Sequence, residues 1–155
     1  MKVVVLGAGL MGKEVARDLV ASQAVEKIFL ADVAPENAKE FVATLNTDKI
    51  EVVQLNAECD DALREVIARG NAVVNALFYT FNERVAKAAI DTGVHAVDLG
   101  GHIGGITEKV LDLNEEAVRV ASFSLSLALC DFLDPRSIWN ELSFPKLVNT
   151  NLIVS

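Results

Sequence analysis

The chain has 155 residues, 52% of them hydrophobic, and carries 14 Lys and Arg against 22 Asp and Glu, a formal net charge of −8. That is one domain's length with enough apolar material for a core, which excludes a disordered chain. The acidic balance supplies no basic stripe for nucleic acid, and no apolar run approaches the roughly 18 residues of a membrane span, so neither nucleic acid nor membrane is expected as a partner.

Met1-Lys2 leads straight into Val3-Val4-Val5-Leu6, an apolar run that reads as a strand over about 2–6, buried on both faces. No signal-peptide pattern precedes it, so the expected compartment is the cytoplasm. Gly7-Ala8-Gly9-Leu10-Met11-Gly12 follows, and a helix over about 10–22 comes after it. A strand, then G-x-G-x-x-G, then a helix is the context of a dinucleotide fingerprint. Gly7 permits the tight turn, Gly9 lets a pyrophosphate approach bare backbone, and Gly12 lets the helix pack close to the strand. The unpaired N–H groups at the helix start, around Leu10 and Met11, then face the phosphates with the positive end of the dipole.

The second strand is Lys27-Ile28-Phe29-Leu30-Ala31, ending in Asp32, which lies 20 residues beyond Gly12. An acid at that place binds the adenosine ribose hydroxyls. Its charge repels a 2′-phosphate, and Val33-Ala34-Pro35-Glu36 supplies no cation to neutralise one, so NAD is expected over NADP. A capping role for Asp32 stays open beside this, because Pro35 suits the first turn of the next helix, about 35–45.

The third strand spans about 50–55. Asn56 then stands where an adenine edge is met, or simply closes the strand. Asp60 to Arg69 reads as a helix closed by Gly70 at a C-terminal glycine position. Cys59 and Cys130 form neither a C-x-x-C motif nor a disulfide framework and are read as structural thiols. The fourth strand, about 72–77, is apolar but for Asn75, whose amide serves either the cofactor or the local backbone. Phe78 and Tyr79 lie outside its carboxyl end, where open α/β sheets bind ligands, or else cover the sheet edge. Thr80 and Glu83 have capping-box spacing and are expected to open a helix that ends at Gly93.

His95 to Leu99 is the fifth strand. It runs into Gly100-Gly101-His102-Ile103-Gly104-Gly105, four glycines that imply close backbone approach or a flexible joint. His102 is the lone candidate for proton transfer there. Thr107 is expected to cap a fifth helix running to Val118. Five strands alternating with helices predict a doubly wound Rossmann-type α/β fold, a parallel sheet in the order 3-2-1-4-5.

Residues 1 to about 118 resemble the N-terminal nucleotide-binding domain of the saccharopine dehydrogenase family. The stretches that carry the resemblance are Val5 to Glu14, Val73-Val74-Asn75-Ala76-Leu77-Phe78-Tyr79, Phe81-Asn82-Glu83, and Val97-Asp98-Leu99-Gly100-Gly101-His102-Ile103-Gly104. The resemblance implies an NAD-dependent oxidoreductase that moves a hydride at an amine-bearing carbon of an amino acid, lysine or a relative. It implies a nicotinamide site beside Asn75, Ala76, Leu77, Phe78 and Tyr79 and beside Asp98, Gly100 and Gly101. His102 and Tyr79 are then the candidate proton-handling groups. No metal is expected.

The resemblance divides the chain into a nucleotide-binding domain, 1–120, and a divergent tail, 121–155. The family continues with a sixth strand, a Pro- and Gly-rich loop and a substrate and dimerisation domain; this tail has no such loop. A truncated chain, a short natural relative and a tail translated out of frame all fit it, and a nucleotide-binding module without its own catalysis is the alternative function. Its Ser/Leu alternation, Ser122 to Leu129, has strand spacing, and Asn151 to Val154 suggests another strand. A surface left without its partner domain is expected to be covered by self-association, giving a homo-oligomer.

Overall fold

A computed structural model of the chain describes residues 1–99 and 105–120, together with the backbone of 124–126. The strands are β1 (Lys2–Leu6), β2 (Lys27–Asp32), β3 (Ile50–Gln54), β4 (Ala72–Asn75), β5 (His95–Asp98) and β6 (Ser124–Ser126). The helices are α1 (Leu10–Ala21), α2 (Pro35–Leu45), α3 (Asp60–Ile67), α4 (Asn82–Thr92), α5 (Ile106–Asp112) and α6 (Asn114–Arg119). All strand pairs are parallel, in the order β3-β2-β1-β4-β5-β6. The expected five-strand order is therefore present, and the Ser/Leu alternation supplies a sixth strand beside β5.

β1 lies in the middle of the sheet, and this explains its unbroken apolar run. Side chains alternate across a strand. Val4 and Leu6 join a core with Leu63 and Ile67 of α3 and Val85 and Ala89 of α4, while Val3 and Val5 join a core on the other face with Ala16 and Leu19 of α1 and Phe41 of α2. Both faces are covered, so neither position tolerates a polar residue. Leu6, Ile28 and Leu30 are fully buried, each contributing on the order of 1.5–3 kcal/mol relative to exposure. β3, at the sheet edge, is only partly buried.

Element ends have local causes. Lys49 Nζ donates to the carbonyls of Val20 and Ser22, both at 2.9 Å, and so satisfies the C-terminal end of α1. α4 ends as expected at Gly93, whose φ of 67° allows the Val94 N–H to reach back to the Ala89 carbonyl at 2.9 Å.

Several expectations are corrected. Thr80 and Glu83 do not form a capping box. The chain first makes a 3₁₀ turn at Tyr79–Phe81, α4 starts only at Asn82 without a side-chain cap, and Glu83 pairs instead with Lys109 at 3.3 Å. Gly70 is not a left-handed cap: α3 ends at Ile67 and Gly70 has no positive φ. A methyl at Gly70 would lie 2.8 Å from Val4 Cγ2, so close approach to β1 is what requires glycine there. Thr107 sits inside the first turn of α5, whose N-cap is Gly105 at φ 74°, and the fifth helix is two helices meeting at Leu113. Cys59 is exposed at the N-cap of α3 rather than packed as a structural thiol. Cys130 and Asn151 to Val154 lie outside the described residues.

Burial lowers the pKa of His95 at the start of β5. The unfolded chain then takes up a proton at a higher pH than the folded one, so stability is full above the ordinary histidine range and declines as pH falls through it towards the folded value. Denaturation midpoints measured across that range should show the decline, and His95→Gln should flatten it. A second expectation separates two glycines. A Cβ at Gly12 would stand 1.8 Å from the Gly7 carbonyl oxygen, whereas one at Gly9 would meet nothing within 4 Å. Urea unfolding should show Gly12→Ala destabilised by about 3 kcal/mol or more, and Gly9→Ala within about 1 kcal/mol of wild type.

Candidate functional site

The sheet's winding reverses between β1 and β4, which pair directly with Leu6 opposite Asn75. Connections from the two strands leave to opposite sides, and a crevice opens at their carboxyl ends. The glycine turn forms one wall. Gly7 leaves β1 at φ 92° and donates its N–H to the Ala31 carbonyl at 2.7 Å. Its hydrogen faces the next connection, where a Cβ would stand 2.9 Å from the Ala76 carbonyl oxygen. Gly9 is the N-cap of α1, in extended conformation, with no side-chain cap and no acid in the first turn. The first N–H groups of a helix have no partner within it, and those of α1 begin beside Gly9, where a Cβ would meet nothing within 4 Å and no side chain caps the helix.

Asp32 ties this turn to β2. Oδ2 accepts from the Ala8 N–H at 2.7 Å, and Oδ1 accepts from the Ala34 N–H at 2.9 Å. Asp32 is not a helix cap: α2 has Ala34 as its N-cap with no side-chain cap bond, and the Oδ1 bond closes the turn that precedes it, while Oδ2 faces the glycine turn. Ala8, which spacing does not single out, is the residue through which Asp32 acts. Asn56 closes a local turn, its Oδ1 accepting from the Glu58 N–H at 3.0 Å.

The opposite wall is the segment after β4. Asn75 is buried, and its Oδ1 accepts from the Leu77 N–H at 3.2 Å while its Nδ2 donates to Asn82 Oδ1 at 2.9 Å. Asp98, also buried, lies opposite Asn75 in register. Phe78 and Tyr79 stack with ring centroids 4.3 Å apart at 45°. Phe78 is 65% exposed and does not cover the sheet edge. Asn82 stands in the Phe81-Asn82-Glu83 stretch that carries the resemblance, and the sequence assigns its side chain no role; the signal that marks it is a second asparagine seven positions after the one in β4.

Large apolar side chains rim this crevice. Leu10, Met11, Val33 and Phe78 are all exposed, Leu10 by 82%. They follow the carboxyl ends of β1, β2 and β4, one rim rather than scattered points. Gly100, Gly101 and His102 lie outside the described residues. Among the described residues no cluster of His, Cys, Asp and Glu could hold a metal ion, and no helix is long and apolar enough to cross a membrane.

A doubly wound parallel sheet with an uncapped glycine turn at its switch point defines a Rossmann-type α/β domain. The chain belongs to the saccharopine dehydrogenase NADP-binding domain family, whose model matches residues 3–122. Among solved structures it is similar to apo saccharopine dehydrogenase (L-Glu forming) from Saccharomyces cerevisiae, with a TM-score of 0.69 and 24% identity over 81% of this chain and 26% of that one. It is also similar to the Citrobacter sp. triphenylmethane reductase complexed with NADP(H), with a TM-score of 0.61 and 20% identity over 89% of this chain and 52% of that one. Uronate dehydrogenase from Agrobacterium tumefaciens, complexed with NAD, aligns with a TM-score of 0.51 and 17% identity over 64% of this chain and 40% of that one. These identities establish a common fold. The chain spans about a quarter of the length of the yeast enzyme.

The two bonds accepted by Asp32 make it a structural strut. Asp32→Ala leaves the Ala8 and Ala34 N–H groups without their acceptor and should cost about 1–3 kcal/mol in urea unfolding. Asp32→Asn keeps one carbonyl oxygen and should fall between that variant and wild type.

Proposed function

We propose that this chain is the pyridine-nucleotide-binding domain of an oxidoreductase of the saccharopine dehydrogenase type. The observation that carries the reading is the open backbone at Gly9, beside an uncapped helix start and across from Asp32. In this reading the N–H groups of Gly9, Leu10 and Met11 take the pyrophosphate. The Ala8 N–H is committed to Asp32 and is not among those donors. Asp32 and Val33 meet the adenosine ribose, Asn56 the adenine side, and Asn75, Ala76, Leu77, Phe78, Asp98 and Gly100 the nicotinamide side. Gly7 and Gly12 admit no side chain and set the shape of the turn. The exposed rim of Leu10, Met11, Val33 and Phe78 would be covered by the ligand, which accounts for apolar side chains standing in water.

A bound nicotinamide supplies hydride transfer; the chain's own part is to hold and orient it and to exclude water. Our reading favours NAD over NADP, although the family takes its description from NADP. A carboxylate at the ribose with no Arg or Lys in the four residues after it opposes a 2′-phosphate. The substrate we propose is an amino acid that reacts at an amine-bearing carbon, lysine or a relative, as for lysine 6-dehydrogenase. His102 and Tyr79 are the proposed proton-handling groups. Cytoplasmic residence, a 1–120 nucleotide-binding unit whose following tail lends β6 to the sheet edge, and self-association complete the proposal. Because the chain spans 26% of the yeast enzyme, a second reading is a module that binds nucleotide and does not turn over by itself.

Calorimetric titration tests the cofactor claim. NAD⁺ should bind more tightly than NADP⁺, and Gly9→Val should weaken NAD⁺ by about tenfold or more, some 1.4 kcal/mol, with the unfolding midpoint nearly unchanged. Equal affinity in Gly9→Val would remove the pyrophosphate from this turn, and tighter NADP⁺ would overturn the specificity. Lysine-dependent growth of NADH absorbance supports catalysis by this chain; NAD⁺ binding without it supports the module.

A further inference from the structure

Two buried asparagines connect the fourth helix to the glycine turn through side chain and backbone in sequence. The Leu77 N–H can only donate, so Asn75 must present Oδ1 to it; Nδ2 then faces Asn82, which must present its own Oδ1. Both side chains are buried, at 2% and 5% exposure, so neither can exchange its partner for bulk water. The Leu77 N–H and Asn82 Oδ1 together hold the Asn75 amide, and Asn75 in turn holds the backbone at Leu77.

The next contact is steric. Ala76 and Leu77 are the floor on which the glycine turn rests. The Ala76 carbonyl oxygen and Leu77 Cδ2 lie 2.9 and 3.2 Å from the Cβ position of Gly7, and Ala76 Cβ lies 3.5 Å from that of Gly12. The Ala76 N–H is bonded to the Leu6 carbonyl at 2.9 Å, which brings the same segment back to the last residue of β1. Ala76 and Leu77 so limit the space beside the turn that no Cβ fits at Gly7, and a shift of this segment changes the room in which the glycine turn sits.

We propose that Asn82 is a positioning residue for the pyrophosphate turn, acting through the Asn75 amide and the Ala76–Leu77 floor. It touches no ligand. Its effect is greatest at the glycine turn, because the adenosine side of the crevice is built on β2 and β3 and meets the turn one step further on, through the Gly7–Ala31 and Ala8–Asp32 bonds. The ligand arm of the claim rests on the nucleotide-binding reading above; the structural arm does not.

The test uses the full chain as wild type and as Asn82→Leu, similar in size but with no acceptor; Asn82→Ala replaces the leucine variant if that fails to fold. Amide hydrogen exchange is followed at Gly7 and Ala8, whose N–H groups are bonded across the turn, and at Leu30 and Val73 in the central sheet. Exchange at Gly7 and Ala8 should rise by about tenfold while the two sheet amides hold. No rise at the turn, or an equal rise at all four, overturns the proposal. In the ligand arm, titration with ADP-ribose should show about fivefold weaker binding in the variant, and titration with adenosine less than about twofold. Equal loss for both ligands overturns the placement at the pyrophosphate. If wild type binds neither ligand, the nucleotide reading fails, while the exchange data still decide the role of Asn82.

Discussion

The site depends on how closely α1 can approach the end of β1. A helix that starts directly above the turn leaving a strand must pass its first turn against that strand's last carbonyls. At Gly12 the approach is so close that a Cβ would overlap the Gly7 oxygen. Only hydrogen fits, and only that approach brings the unpaired N–H groups of α1 over the crevice between β1 and β4. A bulkier residue would push the helix outward and move every donor with it. The positive φ of Gly7 is the second half of the same constraint, since it directs the chain from the sheet into the helix within three residues.

Around that contact the structure divides the work of holding the turn between two polar groups on opposite sides. Asp32 holds it from β2 through the Ala8 N–H. The Asn75–Asn82 pair holds the floor beneath it from β4 and α4. The asparagine pair is buried beyond the reach of water, and the half-buried bond from Ala8 to Asp32 adds to it, so the turn is held before any ligand arrives. A stiff turn loses little conformational freedom on binding. The apolar rim is the complement: Leu10, Met11, Val33 and Phe78 leave apolar area in water that an occupant of the crevice would cover.

Much of this was legible in the chain. The strands and helices up to β5 follow from apolar runs alternating with helical spacing, because a parallel sheet covered on both faces requires continuous hydrophobic strands. Failures of sequence reading fall at helix ends. Thr80 and Glu83 have the spacing of a capping box, but a 3₁₀ turn over Tyr79–Phe81 comes first and α4 starts after it without a side-chain cap. Gly70 follows a helix as a cap would, yet the neighbour that requires glycine is Val4, 66 positions away in the chain. Local spacing carries no information about such contacts.

By itself the sequence determined the fold class, the strand order, the position of the glycine turn and the acid beside it, since these follow from periodicity and from residue types that only one backbone geometry accepts. Tertiary structure alone decided that both oxygens of Asp32 are engaged, that the Ala8 N–H is one of their donors, and that Asn82 pairs with Asn75. Each of these is a pairing between groups on elements brought together by folding. The 24 residues from Ala8 to Asp32 and the seven from Asn75 to Asn82 become bonding distance only when the strands lie parallel and the helices cross back over them.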